Sequence, residues 1–446
     1  MTTRVPFTPL EEAVHHIERK LGSWNVQSEV ETATRIDVDR LREATLTACN
    51  AHPLARARQR PNSGTDTRFV WEIPTGIGRL PDGVITVMDG PIGNVSPFYR
   101  QRIDLTEELP FRLLVIRGGG ADGGDALLVC TSHVAADGIG SLRFVRSICE
   151  AYRGVSLDPD PVDTETARDA IFDGPVTPSS DDLELVGDVV SYLGNAIDPP
   201  TRIAGDDGSG TGGSGDRGGD DGWVFDRRRL DEALTARVLN GRPEQASVND
   251  VLLAALHRCI DGWNRDHGES SRKISCMMPV NLRPSDWFYD VVGMFAAFDS
   301  IATRPSDRRK PAATLETVVE QTQRLKDRDR STLFIEALKL VPPGTPVALK
   351  EQFPQLLRGL GKRFLDTAVL SNLGRVPEPV PRLDDGDPGN FWFSPPSTPP
   401  VAVGIGVVTV SGRIYLTGRY DRGTFDADAA AAFTDRYLDC VGELVA

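Results

Sequence analysis

Hydrophobic residues along this chain recur with two periods, and the switches between them mark out its elements. Leu10, Val14, Ile17 and Leu21 fall at helical spacing behind Thr8-Pro9-Leu10-Glu11, a capping box with proline at the first helical position. His15 and His16 lie in that helix; adjacent residues face different directions, so the pair is expected at the surface rather than as a metal clamp. Thr32 to Ile36 suits a short strand, after which Asp37 caps a helix carrying Val38, Leu41, Ala44 and Ala48 that ends at His52-Pro53. Phe69 to Ile73 and Val84 to Val87 are short strand candidates, and Phe111 to Ile116 is a firmer one. The glycine-rich turn Gly118 to Gly124 then leads into Ala126-Leu127-Leu128-Val129-Cys130, and the two strands read as an antiparallel hairpin. That run continues as Thr131-Ser132-His133-Val134-Ala135-Ala136-Asp137-Gly138. The period then turns helical, with Ile139, Leu142, Val145, Ile148, Cys149 and Tyr152 on one face.

From Asp158 to Pro200 the pattern weakens, leaving a modest helical stretch at Leu183 to Leu193. Residues 205–222, GDDGSGTGGSGDRGGDDG, carry no apolar side chain to bury and read as a linker. Their G-x-G-x-x-G match at Gly210, Gly212 and Gly215 has no strand before it and no helix after it, which excludes a dinucleotide site there. Periodicity resumes at Trp223-Val224-Phe225. Ser247 to Asp250 caps a helix through Leu252, Leu253, Leu256, Ile260 and Trp263, and Ile274 to Met278 and Met294 to Phe298 read as strands. Helices are predicted over Ala313 to Lys326 and Phe353 to Leu365. Ala368-Val369-Leu370 is a strand leading to Ser371-Asn372-Leu373-Gly374. Val401 to Val410 and Arg413 to Tyr420 form a hairpin around Ser411-Gly412, and a last helix starts at Asp426. The division is therefore an N-terminal lobe over 1–200, the linker, and a C-terminal lobe over 223–446, both α/β.

Composition narrows the function classes. At 446 residues, with 39% hydrophobic and 26% charged residues, the chain suits a globular protein of two domains. No apolar stretch reaches the roughly 18–20 residues of a membrane helix, and the N-terminus lacks a signal sequence, so the expected compartment is the cytoplasm. A net charge of −14 argues against a nucleic-acid partner, which needs a positive footprint. Lysine supplies 7 of the 50 basic residues; a high-salt host or an arginine-biased genome accounts for this equally. The six cysteines are dispersed without a C-x-x-C, pointing to free thiols, with no disulfide framework and no structural zinc.

His133 leaves a core strand four residues before an Asp-Gly turn. By itself that is equally a packed core histidine or a general base. A Ser132-His133-Asp137 triad is disfavoured, because neighbouring side chains on an extended backbone point to opposite faces, and no G-x-S-x-G elbow is present. The flanking motifs weigh on the question. His133-Val134-Ala135-Ala136-Asp137-Gly138 resembles the H-x-x-x-D-G signature of the CoA-dependent acyltransferase superfamily. That group includes chloramphenicol acetyltransferase, condensation domains of non-ribosomal peptide synthetases, polyketide-associated acyltransferases and the wax ester synthase/diacylglycerol acyltransferase proteins. Ala51-His52-Pro53-Leu54-Ala55-Arg56, Leu109 to Leu113, Ser247 to Ala255, Pro279-Val280-Asn281-Leu282-Arg283 and Ser371-Asn372-Leu373-Gly374 resemble further family segments, in family order along nearly the whole chain.

The resemblance implies two chloramphenicol-acetyltransferase-like α/β-sandwich lobes in a V around a central tunnel, with His133 at its middle. It implies acyl transfer from a CoA thioester, or from a phosphopantetheine-bound acyl group on a carrier protein acting in trans, to an alcohol or amine. No tightly bound cofactor and no metal are implied. His133 would be the general base. Asp137 would pair with an arginine, for which Arg283 is the candidate, and anchor the loop, with Gly138 allowing close approach. Ser371 and Asn372 are candidate donors to the oxyanion, or simply a turn after a strand. Trp392 and Ser394 to Pro400 either shape a pocket or form a packed surface loop. Condensation domains and the wax ester synthase group carry two successive histidines; Ser132 stands at the first position here and His133 at the second. A non-catalytic scaffold that binds acyl groups or a carrier domain, and a thioester hydrolase, remain the alternative readings.

Overall fold

The computed structural model describes residues 1–90, 96–169, 198–205, 222–327, 344–350, 366–385 and 390–446. The helices expected at Leu183 to Leu193 and Phe353 to Leu365, and linker residues 206–221, lie outside the described residues. Fourteen strands are described: β1 (Thr2–Pro6), β2 (Asn25–Glu31), β3 (Arg58–Gln59), β4 (Val70–Pro74), β5 (Ile85–Asp89), β6 (Phe111–Arg117), β7 (Ala126–Ser132), β8 (Trp223–Arg229), β9 (Ile274–Asn281), β10 (Ala296–Thr303), β11 (Ala368–Arg375), β12 (Asn390–Ser394), β13 (Val403–Val410) and β14 (Arg413–Asp421). The long helices are α1 (Pro9–Leu21), α2 (Val38–Ala51), α3 (Gly138–Tyr152), α4 (Val248–Asp266), α5 (Pro311–Asp327) and α6 (Ala427–Leu444).

The strands make a five-stranded sheet in the order β12-β2-β7-β6-β5, a six-stranded sheet in the order β10-β9-β11-β13-β14-β8, and a small β1-β4-β3 sheet. β6 and β7 are the predicted antiparallel hairpin. The unbroken apolar run of β7 has a simple cause: both faces of the strand are covered. Leu127 and Val129 enter one core with α2 and α3 residues such as Leu41 and Leu142, while Ala126, Leu128 and Cys130 enter another with Leu10, Val14 and Trp71. The six-stranded sheet buries its outer face against α4, α5 and α6 in a third core that includes Leu252, Val318 and Tyr437. The other face turns toward the first lobe.

Helix starts follow the sequence closely. Thr8 Oγ1 accepts from the Glu11 N–H while Glu11 returns to the Thr8 N–H, and Ser247 with Asp250 repeats the arrangement on α4. Asp37 and Asp426 cap α2 and α6. The β13–β14 hairpin turns on Ser411 and Gly412, both in the left-handed region as a two-residue hairpin demands.

Four expectations need correction. The strand placed at Thr32 to Ile36 lies earlier, at Asn25–Glu31. His15 and His16 are buried: His15 packs edge-on to Phe69 at 4.6 Å and against Phe7, because α1 is enclosed by the β1-β4-β3 sheet and β7. Burial, helped by the charge of neighbouring His16, pushes the His15 pKa down to about 3. Ser371 to Gly374 continues β11 rather than forming a turn after it. Finally, Trp392 and Ser394 to Thr398 do not lie in a surface loop: they are buried, and the stretch Asn390–Ser394 forms a strand. It is β12, which leaves the second half of the chain to pair antiparallel with β2 in the first lobe's sheet.

The β12 crossover ties the lobes together. Phe391 and Phe393 are buried in the core that also holds Val26, Val30 and Tyr415. β13 carries glycine at 406 because the Phe393 backbone crosses where a side chain would stand. Arg227 on β8 reaches Glu29 at 2.8 Å and Glu31 at 3.0 Å on β2. Among the described residues no helix is long and apolar enough to cross a membrane. Phe391→Ala should therefore lower unfolding free energy by about 3–5 kcal/mol; urea denaturation of the full chain measures it, and a loss below 1 kcal/mol would show that β12 contributes little to holding the lobes.

Candidate active site

His133 occupies the turn between β7 and α3. The turn is tight: Ala135 and Ala136 N–H both donate to the Ser132 carbonyl, at 3.1 Å each. His133 is half-buried, with Nδ1 3.2 Å from the Ala136 carbonyl oxygen. A carbonyl only accepts, so Nδ1 carries the proton and Nε2 keeps its lone pair. The Trp24 ring stands edge-on to the imidazole, 5.8 Å between centroids. Burial lowers the His133 pKa from 6.5, opposed by the Ala136 carbonyl and the charge of Asp137. The ring is therefore neutral at pH 7, as a proton acceptor must be.

Asp137 is buried and divides its carboxylate between the lobes. Oδ1 accepts from the Gly140 N–H at 2.8 Å and caps α3. Oδ2 accepts from Arg283 Nη1 at 2.6 Å and from the Phe295 N–H at 2.8 Å. Arg283 is equally enclosed; its Nη2 donates to the Gly293 carbonyl at 3.0 Å and the Val291 carbonyl at 3.3 Å, and its guanidinium lies 4.5 Å from the centre of the Phe295 ring. The structure thus joins Asp137 to Arg283, across 146 positions of sequence. Gly140 is required at this junction, since a Cβ there would come within 2.7 Å of the Gly293 carbonyl oxygen. At Gly138 a Cβ would meet Leu373 Cδ2 at 2.8 Å.

A cavity of about 210 Å³ opens beside His133, and both lobes line it. Leu10, Val14, Trp24 and Val26 come from one side; Met277, Pro279, Asn281, Phe298, Val369, Ser371 and Asn372 come from the six-stranded sheet. The side chains of β9 and β11 that line it follow the two-residue period of a strand, with Asn372 and Leu373 joining near the end of β11. Ser371 and Asn372 are thereby brought to the same space as His133. Asn372 Oδ1 accepts from the Gly374 N–H at 2.9 Å, and the Tyr289 hydroxyl donates to the Leu373 carbonyl at 2.8 Å. Phe393, Pro395 and Pro396 also line the cavity, whereas Trp392 turns away to pack on Tyr415 at 5.0 Å. Ser132 is fully buried, its hydroxyl has no hydrogen-bond partner among the described residues, and it does not line the cavity.

Sequence reasoning missed Trp24, Gly293 and Phe295. Trp24 precedes a strand with no apolar alternation. The other two follow the strand-like run after Val291-Val292, and nothing local says that their backbone meets Asp137.

The two-lobed arrangement is shared with solved structures. The first condensation domain of the calcium-dependent antibiotic synthetase aligns with a TM-score of 0.68 at 14% identity, covering 99% of this chain and 96% of that one. The epimerization domain from the third module of tyrocidine synthetase B aligns at 0.65 and 15% identity, over 100% and 96%. The EpoB cyclization-docking bidomain from Sorangium cellulosum aligns at 0.69 and 13%, over 99% and 85%. The chain therefore has the fold of these condensation, epimerization and cyclization domains, with two chloramphenicol-acetyltransferase-like lobes. No family model matches the sequence. The uncharacterized protein Rv2305 of Mycobacterium tuberculosis is 32% identical over 420 residues, 93% of this chain and 94% of the relative, and the chain belongs to the same family as that protein.

Removing one partner of a buried pair strands the other charge. Asp137→Ala should cost about 3–5 kcal/mol of stability in chemical denaturation. A cost under 1 kcal/mol would mean that Arg283 finds other neutralisation and the pair does not anchor the loop.

Proposed function

We propose that this protein transfers an acyl group from a thioester, carried by CoA or by the phosphopantetheine arm of a carrier protein, to a hydroxyl or amine acceptor, with His133 as general base. The observation that carries the proposal is the orientation of His133: Nδ1 is committed to the Ala136 carbonyl, and the ring lines the cavity shared by both lobes. Nε2 takes the acceptor's proton as its oxygen or nitrogen attacks the thioester carbonyl carbon. The tetrahedral oxyanion collapses, the carbon–sulfur bond breaks, and the imidazolium returns the proton to the leaving thiolate. No covalent acyl-enzyme is required. Asp137, Gly138 and Arg283 hold the loop, and Ser371 and Asn372 supply polar groups on the facing wall.

Met277, Phe298, Val369 and Phe288 give that wall an apolar character that suits an apolar acyl portion. The synthetase domains that share the fold support a donor delivered by a carrier protein in trans. The six cysteines, of which five are buried, fit a reducing cytoplasm.

The test is thiol release from a panel of acyl-CoA and acyl-pantetheine donors, with and without alcohols and amines. Wild type should release thiol only with an acceptor present, and His133→Ala should slow this about 10²–10⁴-fold. Equal rates for the two proteins would refute the base, and acceptor-independent release would indicate hydrolysis. The pH profile follows from the lowered pKa of His133. Its neutral form is the active one, so kcat/KM should be constant near pH 7 and fall on acidification through an apparent pKa below 6.5. A limb centred above 6.5 would contradict the assignment.

A further inference from the structure

We infer that Asn281 donates a hydrogen bond from its side-chain amide to the thioester carbonyl oxygen, and so stabilises the oxyanion that forms there. The inference rests on the acyl-transfer reading above and adds to it a residue outside the signature. Asn281 ends β9 and lines the cavity with Met277 and Pro279, the alternate residues of the same strand face. Its Oδ1 accepts from the Arg283 N–H and from Arg283 Nη1, both at 3.2 Å. A peptide N–H and a guanidinium nitrogen only donate, so the amide oxygen must face them. That settles the orientation of the side chain and leaves Nδ2 on the other side. Nδ2 is shielded from solvent and has no hydrogen-bond partner among the described residues. Buried donors left unpaired are uncommon and call for a reason. A substrate oxygen in the cavity supplies one.

The position of this donor is coupled to the base. Arg283 Nη1 holds Asn281 Oδ1 and, at 2.6 Å, Asp137 Oδ2, four residues beyond His133. One guanidinium nitrogen therefore fixes the proton acceptor from one lobe and the proposed oxyanion donor from the other. A donor held in place before substrate arrives costs no reorganisation when charge develops, which is the condition under which such groups are most effective. Ser371 lies on the neighbouring strand, since β11 pairs parallel with β9, and it lines the same cavity.

Asn281→Asp separates this role from a structural one. The carboxylate keeps an oxygen for Arg283 but replaces the donor with an acceptor, so the thermal transition should stay near that of wild type while kcat falls about 10²–10³-fold and the donor KM changes little. A second measurement needs no variant. Calorimetry compares wild-type binding of an S-(2-oxoalkyl)-CoA, which presents a carbonyl but cannot be cleaved, with the S-alkyl-CoA of the same chain length, which has none. The ketone should bind about tenfold more tightly, the worth of roughly 1.4 kcal/mol, and Asn281→Asp should abolish the preference. Wild-type kcat in Asn281→Asp, or equal binding of the two analogues by wild type, overturns the role of Asn281. Where either occurs while turnover still depends on His133, the acyl-transfer reading stands. Turnover that His133→Ala leaves unchanged overturns that reading itself.

Discussion

Asp137 has two carboxylate oxygens and commits each to a different lobe. Oδ1 ends the β7–α3 turn by capping the helix, and Oδ2 is held by Arg283 and the Phe295 N–H across the lobe boundary. Both oxygens of this buried carboxylate are met by groups that themselves cannot move far. Such a pair need not make the fold more stable than well-packed apolar residues would, because desolvation offsets much of the attraction. What it supplies is register. The guanidinium fork accepts one placement of α3 against the β9–β10 connection, and Gly140 lets the two backbones meet at that placement. His133 is presented by the loop this contact immobilises, so the placement of its imidazole depends on an interaction between lobes rather than on its own strand alone.

The same dependence explains which parts of the structure can be read from sequence. The β6–β7 hairpin, α1, α3 and α4 carry local signals: apolar periodicity, capping residues and glycine-rich turns act over a few positions, and each element lies where those signals put it. The pairing of Asp137 with Arg283 was reachable only through the order of motifs, since 146 residues separate the partners. β2 was misplaced for a physical reason. Its sequence, Asn25-Val26-Gln27-Ser28-Glu29-Val30-Glu31, has few apolar side chains, yet six of the seven residues are buried. Burial comes from outside: β7 on one edge, β12 on the other, and Arg227 neutralising two glutamates. β12 in turn has no meaning as a strand until its partner is known. His15 and His16 went astray similarly, because the β1-β4-β3 sheet that covers α1 is assembled from segments tens of residues apart.

The site adds a second kind of hidden information. His133 is conspicuous in sequence because of its spacing to Asp137 and Gly138, whereas Asn281 is one polar residue among many. Its significance lies in a directional fact, that Arg283 can only donate, which a sequence does not carry. Trp24 is similar: a residue just before a polar strand becomes the wall against which the imidazole ring stands. Apolar walls of this kind have an electrostatic consequence. By excluding water they lower the pKa of His133 and keep it neutral, and they also raise the worth of each donor that does face the cavity. Few polar groups are then enough.

Ser132 bears on how much the two-histidine pattern of related groups matters here. The residue ends β7 in register with Asn25 on β2, fully buried, and it does not line the cavity. The chain leaves the strand at Ser132, whose side chain stays in the sheet, and the turn that follows carries His133 into the shared space. A serine there exchanges the volume of an imidazole for a small hydroxyl behind the site. The exchange acts on the packing of β7 against β2, and through it on the turn that presents His133. It removes no group from the space where an acceptor would sit. The departure from two histidines therefore leaves the imidazole of His133 and the lining of the cavity beside it intact.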